Sequence, residues 1–451
     1  MKKFYGIILS LLVLLTLVGC GNDTKKAEPN FDVPEGGYDG SEVTIKFYHT
    51  MGSNLSDVLD LYIASFNKLY PNIHIAWEKI GGYDDVRSQI STEIGAGQHT
   101  EPNLAYCYPD HVALYNLAGA VATLDNLIDS KETVTRADGT TEVLGLTTAQ
   151  KDVLYYNKTF FEENKLEIPT HWFSTDASDK TSMEYVCEKI KSIDPLSTPL
   201  GYDSEANWFI TMCEQLGSDY TSATGNHYLF NNSTNRDFTK KFRTWYQKGW
   251  LTTQGLYGSY TSALFVNTDT TKTRSYMSIG SSAGATHQRP EAVDGKYPFE
   301  VGIASIPQVN ANNPKVISQG PSLCIFQKEN PQEVVASWLF AKYLATNVEF
   351  QAEFSMTSGY VPVIKSVSEN AAYKKFLSSA DGGKYIAALS AKVCLEQEEA
   401  YYTSPAFNGS STARDQVGAL IKKILSETTN DVDKMIKDAF AAAVDECEYQ
   451  E

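Results

Sequence analysis

The stretch VTIKFYHTMGSNLSDVLDLYIASFNKLYPNIHIAW, residues 43–77, decides the fold. Val43, Ile45 and Phe47 alternate with polar neighbours, the period of a strand with one buried face. Leu55, Val58, Leu59, Tyr62, Ile63, Phe66 and Leu69 then recur at three- and four-residue spacing, which predicts an amphipathic helix with Ser53 or Asn54 as cap and Pro71 as stop. Ile73, Ile75 and Trp77 alternate again. Strand, helix and strand within about 35 residues form a βαβ unit, which implies a parallel sheet with a right-handed crossover.

Outward from this unit the same alternation continues. Val334 to Tyr343 and Val417 to Leu425 have helical periodicity, and Val301 to Ile306 and Leu323 to Phe326 read as short buried strands. Ser130 to Gly145 is polar and predicts a surface excursion. Towards the N-terminus, Lys2 and Lys3 precede an apolar run, Ile7 to Val18, too short to span a ~30 Å hydrocarbon core comfortably. The run closes on Leu17-Val18-Gly19-Cys20, the pattern of a bacterial lipoprotein signal. Residues 1–19 are then a signal peptide, and Cys20, once lipidated, holds the mature chain on the outer face of a membrane without spanning it. Residues 20–40 are polar and rich in Gly and Pro, without helical or strand periodicity, and read as a flexible tether.

The chain has 451 residues with 38 basic and 55 acidic side chains, a formal net charge of −17. Roughly 410 residues after the tether are long for one core and natural for two lobes. Without a basic stripe, nucleic acid is excluded as a partner. Of seven cysteines, the six beyond Cys20 (Cys107, Cys187, Cys213, Cys324, Cys394 and Cys447) are widely spaced with no CxxC. That spacing indicates neither a zinc site nor a disulfide scaffold, and they are expected to be buried small hydrophobes. No metal or nucleotide motif is present, so no cofactor is indicated. The 27 Tyr, 20 Phe and 6 Trp suit, besides a core, a cleft that stacks aromatic faces on ligand rings.

Four segments carry a resemblance: FNKLYPNIHI (66–75), VLYYNKTFFEE (153–163), SQGPSLCIF (318–326) and TSGYVPV (357–363). Together with the lipoprotein signal they resemble extracellular solute-binding proteins (family 1) of carbohydrate ABC importers, over nearly all of the mature chain and in the same order. Members of the glycerol-3-phosphate-binding type look nearest. The resemblance implies an α/β fold of two lobes, periplasmic-binding-protein-like, each a mostly parallel sheet flanked by helices and joined by a hinge. The first lobe is expected over 41–153 and 300–350, and the second over 154–299 and 351–451. Val153 to Asn157 would begin the first crossing. It further implies a monomer that passes a carbohydrate or polyol derivative to the importer's permease subunits.

Ligand contacts in that type match Tyr83 in IGGYDD, Asp110 in YPDH, Ser282 in GSSAG, Gly320 in SQGPSL, Tyr360 in SGYVP and Arg414 in STARD. Trp208 in EANWF stands where the family commonly offers a stacking tryptophan. The chain departs from the pattern at Gly145 to Asp152, where a Leu-Pro is usual, so contacts from Gln150 or Asp152 are not carried over. The chemistry is coherent: a carboxylate such as Asp110 accepts from adjacent sugar hydroxyls, while Trp208 or Tyr360 covers the CH face of a pyranose. A phosphate ligand would call on Arg414, but no basic cluster surrounds it and Asp415 follows. A neutral mono- or oligosaccharide is therefore favoured over glycerol 3-phosphate or a glycerophosphodiester.

Two enzyme readings compete with this one. Gly280-Ser281-Ser282-Ala283-Gly284 fits the G-x-S-x-G elbow, but only His287 follows, with no room for an acid-bearing strand between, so a serine hydrolase is disfavoured. A secreted lipoprotein that hydrolyses glycans with two of the many carboxylates stays open on sequence alone. The expectation is a binding protein without catalysis.

Overall fold

The computed structural model describes residues 29–97, 100–143, 152–318, 320–379 and 385–450. The 43–77 unit is present as β1 (Val43–His49), α1 (Ser53–Leu69) and β2 (Ile73–Lys79). The two strands are parallel, in register from Val43 opposite Ile73 to His49 opposite Lys79. Helix α1 buries Val58, Leu59, Tyr62, Ile63 and Phe66 on one face, as the spacing requires. Its cap is Gly52, without a side-chain bond, so neither Ser53 nor Asn54 caps it.

The chain continues through α2 (Tyr83–Gly95), β3 (Leu104–Cys107) and α3 (Pro109–Leu117). A small antiparallel hairpin follows, Thr133–Thr135 against Thr141–Val143. The excursion expected at 130–145 is therefore fastened down: Val134 is buried, and Glu142 meets Arg136 at 2.9 Å, Lys342 at 3.1 Å and the Tyr70 hydroxyl.

A second sheet begins at β4 (Asp152–Asn157) and takes in β5 (Leu200–Tyr202), then, after α4 (Glu205–Gln215), β6 (Leu251–Thr253), β7 (Met277–Ser281) and β8 (Val301–Ala304). Its order is β8–β4–β7–β5–β6. β5 is parallel to β6 and β7, whereas β4 runs antiparallel to β7 and β8. The chain then returns to the first sheet as β9 (Ser322–Ile325), antiparallel to β3, giving the order β9–β3–β1–β2 with parallel pairing elsewhere. The first sheet is mostly parallel; the second is evenly mixed. Helices α5 (Pro331–Thr346), α6 (Val348–Ser358), α7 (Tyr385–Glu396), α8 (Ser410–Ser426) and α9 (Val432–Gln450) complete the fold used below.

The expected lobe boundaries shift at three places. Val301–Ala304 pairs with β4 and Val316–Ile317 with Tyr401–Tyr402, which places both segments with the second sheet and its helices and not with the first. Val153–Asn157 lies inside the second sheet, so it does not begin a crossing between the sheets. Helix α6 packs on α1 through Tyr62 and Phe350, rings 5.2 Å apart, and through the Tyr62 hydroxyl, which donates to Glu353 at 3.2 Å; the first lobe thus extends past 350. A short apolar strand carries no mark of which sheet it will join.

The tether is also shorter than expected. Phe31 is 6% exposed within the first-lobe core, beside Phe47, Phe66 and Phe340. Asn30 donates to the Val121 carbonyl at 2.8 Å, and Tyr38 packs edge-on against Tyr70. Residues 30–40 are thus part of the first lobe, while Cys20 and the signal lie outside the described residues. The second-lobe core gathers Trp172, Trp208, Phe209, Phe242, Trp245, Leu420 and Phe440. The six cysteines are buried, as expected of small hydrophobes. Among the described residues no helix is long and apolar enough to cross a membrane, and no side-chain cluster could hold a metal ion.

Candidate interlobe cleft

A cavity of about 670 Å³ lies between the lobes. Its first-lobe wall rises from the carboxyl ends of the parallel strands, where open α/β sheets leave a crevice. Tyr106 on β3 and Tyr108 just beyond it reach this wall, and Pro109 at the first position of α3 starts the helix that carries Asp110 in its first turn. Tyr220, Ser404 and Arg414 contribute from the second lobe, and Ser318 and Gly320 from the crossing between.

Tyr360 is placed by the end of α6. Gly359 closes that helix at φ +77°, a left-handed conformation that favours glycine, and a Cβ there would stand 2.7 Å from the Ser282 carbonyl oxygen. Ser355 Oγ donates to the Tyr360 carbonyl at 2.5 Å, and the Tyr360 amide donates to Ser358 Oγ at 3.1 Å. The turn therefore aims the phenol at the cleft, where its hydroxyl bonds that of Tyr83. Tyr83 in turn lies against Tyr108, rings 4.5 Å apart. Burial pushes both phenols above their ordinary value. They are neutral at physiological pH and can donate as well as accept.

Arg414, in the first turns of α8, is held in place. Its Nη1 donates to Asn207 Oδ1 at 2.7 Å, its Nη2 to Ser404 Oγ at 3.3 Å, and its Nε lies 3.8 Å from Asp110 Oδ2 across the cleft. Among the described wall residues the other cation is Lys342, paired with Glu142 at 3.1 Å. The cleft thus presents aromatic faces, hydroxyls and one charge pair that largely cancels itself.

Six of the seven expected contact residues are brought together. Asp110, Gly320, Tyr360 and Arg414 line the cavity. Tyr83 stands behind Tyr108 and Tyr360, and Ser282, 2% exposed, backs Gly359 through its carbonyl. Trp208 is a correction: it is 1% exposed, stacked on Tyr202 at 5.2 Å and packed on Phe242 at 4.1 Å, so it offers no face to a ligand. Its position on α4 points inward, while its neighbour Asn207 points to Arg414. Gln150 lies outside the described residues, as does the side chain of Asp152. The tyrosines at 106, 108, 220, 401 and 402, all on the cavity wall, went unnoticed in the sequence. The flanking of Asp110 by YCYPD, with alternate tyrosines leaving a strand on one face, was the available signal.

The GSSAG turn builds no nucleophile elbow. Ser282 opens the 3₁₀ segment Ser282–Gln288 with its side chain buried, and Ser281 Oγ accepts from the Ala283 amide at 3.3 Å as the cap.

A family model for bacterial extracellular solute-binding proteins matches residues 62–376, and the chain belongs to that family. Its fold is shared by solved structures. UgpB of Mycobacterium tuberculosis in complex with glycerophosphocholine superposes with a TM-score of 0.68 at 18% identity, covering 91% of this chain and 100% of that one. The cyclic α-maltosyl-1,6-maltose binding protein of Arthrobacter globiformis gives 0.65 at 17% identity over 91% and 100%. The maltose/maltodextrin-binding domain MalE of Bdellovibrio bacteriovorus, bound to maltotriose, gives 0.61 at 18% over 90% and 99%. No curated protein sequence matches the chain.

Proposed function

We propose that this chain is the substrate-binding protein of an ABC importer, anchored outside the cytoplasm through a lipid on Cys20, and that it captures a neutral mono- or oligosaccharide without altering it. The observation that carries the ligand class is the engagement of Arg414 by Asp110, Asn207 and Ser404. A guanidinium already spent on protein acceptors offers little to a phosphate, whereas tyrosine faces and neutral hydroxyls suit a pyranose. The stacking faces are Tyr108 and Tyr360, with Trp208 removed from that role. Asp110 accepts from sugar hydroxyls, and a ligand touching both walls stabilises the closed arrangement of the lobes. Asp110 is the one carboxylate on the described wall, while glycoside hydrolysis uses two, which supports binding without turnover. The lipid anchor is supported by the Lys2 to Cys20 pattern, and the permease partnership by the family.

A glycerophosphodiester is the second reading, favoured by the presence of Arg414 on the wall and by the glycerophosphocholine held in the M. tuberculosis neighbour. Calorimetric titration of wild type, Tyr360→Ala and Arg414→Ala with maltose-type sugars, glycerol 3-phosphate and glycerophosphocholine separates the two. We expect a sugar to bind and Tyr360→Ala to weaken it at least about tenfold, ~1.4 kcal/mol. Tight binding of a phosphate compound that Arg414→Ala abolishes, with no sugar response, would replace this reading with the second.

A further inference from the structure

The cleft rim carries a second arginine that the ligand reading leaves unused. Arg87 lies on α2 of the first lobe and does not line the cavity. Its Nη1 reaches across to the second lobe, donating to Ser411 Oγ on α8 at 2.6 Å, and stands 3.8 Å from Asp415 Oδ2 on the same helix. On its own helix, Nη2 lies 3.4 Å from Asp84. Arg414 of the second lobe points the opposite way, towards Asp110 of the first, at 3.8 Å. The two lobes are therefore fastened at one rim by reciprocal arginines, each reaching acceptors on the other lobe. Ser411 also lies outside the cavity wall.

We propose that the Arg87–Ser411/Asp415 contact is a closure clasp: it sets the ratio of closed to open lobes, and through that ratio the apparent affinity for whatever the cleft holds, without touching the ligand. This rests on the two-lobe capture reading. The physical argument is linkage. A bond made only when the lobes meet raises the closed population by its own free energy, and a binding-competent population that is larger raises apparent affinity by the same factor. The side chain of Arg87 is 26% exposed and that of Asp415 is 67% exposed, so the ion pair is screened by salt and modest in strength. Ser411 as a direct acceptor for the guanidinium adds a charge-assisted hydrogen bond. Asp415 shares its surroundings with Asp84 and Asp110 of the first lobe. The clasp arginine thus also offsets a concentration of acidic groups on both lobes that would otherwise push the rim apart.

The test needs no ligand. Nitroxides placed at Asp57→Cys on α1 and Lys437→Cys on α9, both exposed positions on opposite lobes, report the interlobe distance by pulsed electron resonance in a Cys20→Ala background; the remaining six cysteines are buried. We expect Arg87→Met and Ser411→Ala each to lower the closed-to-open ratio about fivefold. The double variant should be no worse than Arg87→Met alone, since the serine bond is lost with the arginine, and raising salt should move wild type towards the variants. Distance distributions that superimpose on wild type for both variants would overturn the clasp. So would an effect of Arg87→Met with Ser411→Ala and Asp415→Asn both inert, since the arginine would then act by packing on α2; Ser411→Ala and Asp415→Asn also decide the matter if Arg87→Met does not fold. Failure to bind any sugar would sink the ligand reading and leave this result unaffected.

Discussion

Trp208 and Asn207 are adjacent on α4 and do opposite things. Helical geometry turns successive side chains by about 100°, so one residue enters the second-lobe core and the other reaches Arg414. Sequence resemblance assigned Trp208 to a ligand wall and the structure buries it, because a tryptophan reads the same in a core as on such a wall. Trp208→Ala should therefore act on stability: about 3–5 kcal/mol lost through the cavity it leaves, seen as a lower urea midpoint. A variant with the wild-type midpoint but impaired sugar binding would restore Trp208 to the ligand wall. Tyr83, Asp110, Tyr360 and Arg414 were legible because each sits in a short turn or helix start whose local sequence matches the family. Arg87 was not, since its partners on the other lobe lie more than 300 residues away.

At the scale of elements, the turn that ends α6 joins the two halves of the site. Gly359 needs its left-handed φ, and its Cα approaches the Ser282 turn of the second lobe too closely for a side chain. Gly359→Ala should cost about 1–3 kcal/mol of backbone strain and weaken sugar binding by turning Tyr360 off its line to Tyr83. Calorimetry together with thermal melts checks this; an alanine variant with unchanged melting and affinity would show the turn to be tolerant. The elements themselves were legible where apolar spacing is long and regular, as in α1. Strand partners were not. β8 was expected in the first lobe and pairs in the second, because four apolar residues fit either sheet.

For the whole molecule, the proposed anchor and the folded body are separate parts of the N-terminal stretch. Asn30 and Phe31 are already packed on the first lobe, so the lipid proposed on Cys20 would leave at most ~30–35 Å between membrane and protein, the reach of about ten fully extended residues. Cys20→Ala should abolish fatty-acid labelling while leaving melting temperature and sugar affinity unchanged. Removing residues through Ser41, which takes away Phe31 and Tyr38, should lower the melting temperature by several degrees, in line with about 2–4 kcal/mol from one buried aromatic. Equal melting of both forms would return residues 30–40 to the role of tether.

The order of residues alone determined the βαβ start, the alternation of strands and helices, and four of the residues that line the cleft, Asp110, Gly320, Tyr360 and Arg414, since these depend on local spacing and on short runs that keep their meaning in isolation. Only the tertiary structure decided which sheet β4 and β8 join, that residues 30–40 belong to a core, that Trp208 faces inward, and that Arg87 and Arg414 cross the cleft in opposite directions. Each of those outcomes depends on contacts between segments far apart in the chain, and pairing energies of that kind are settled by the packing of the whole and leave no local pattern to read.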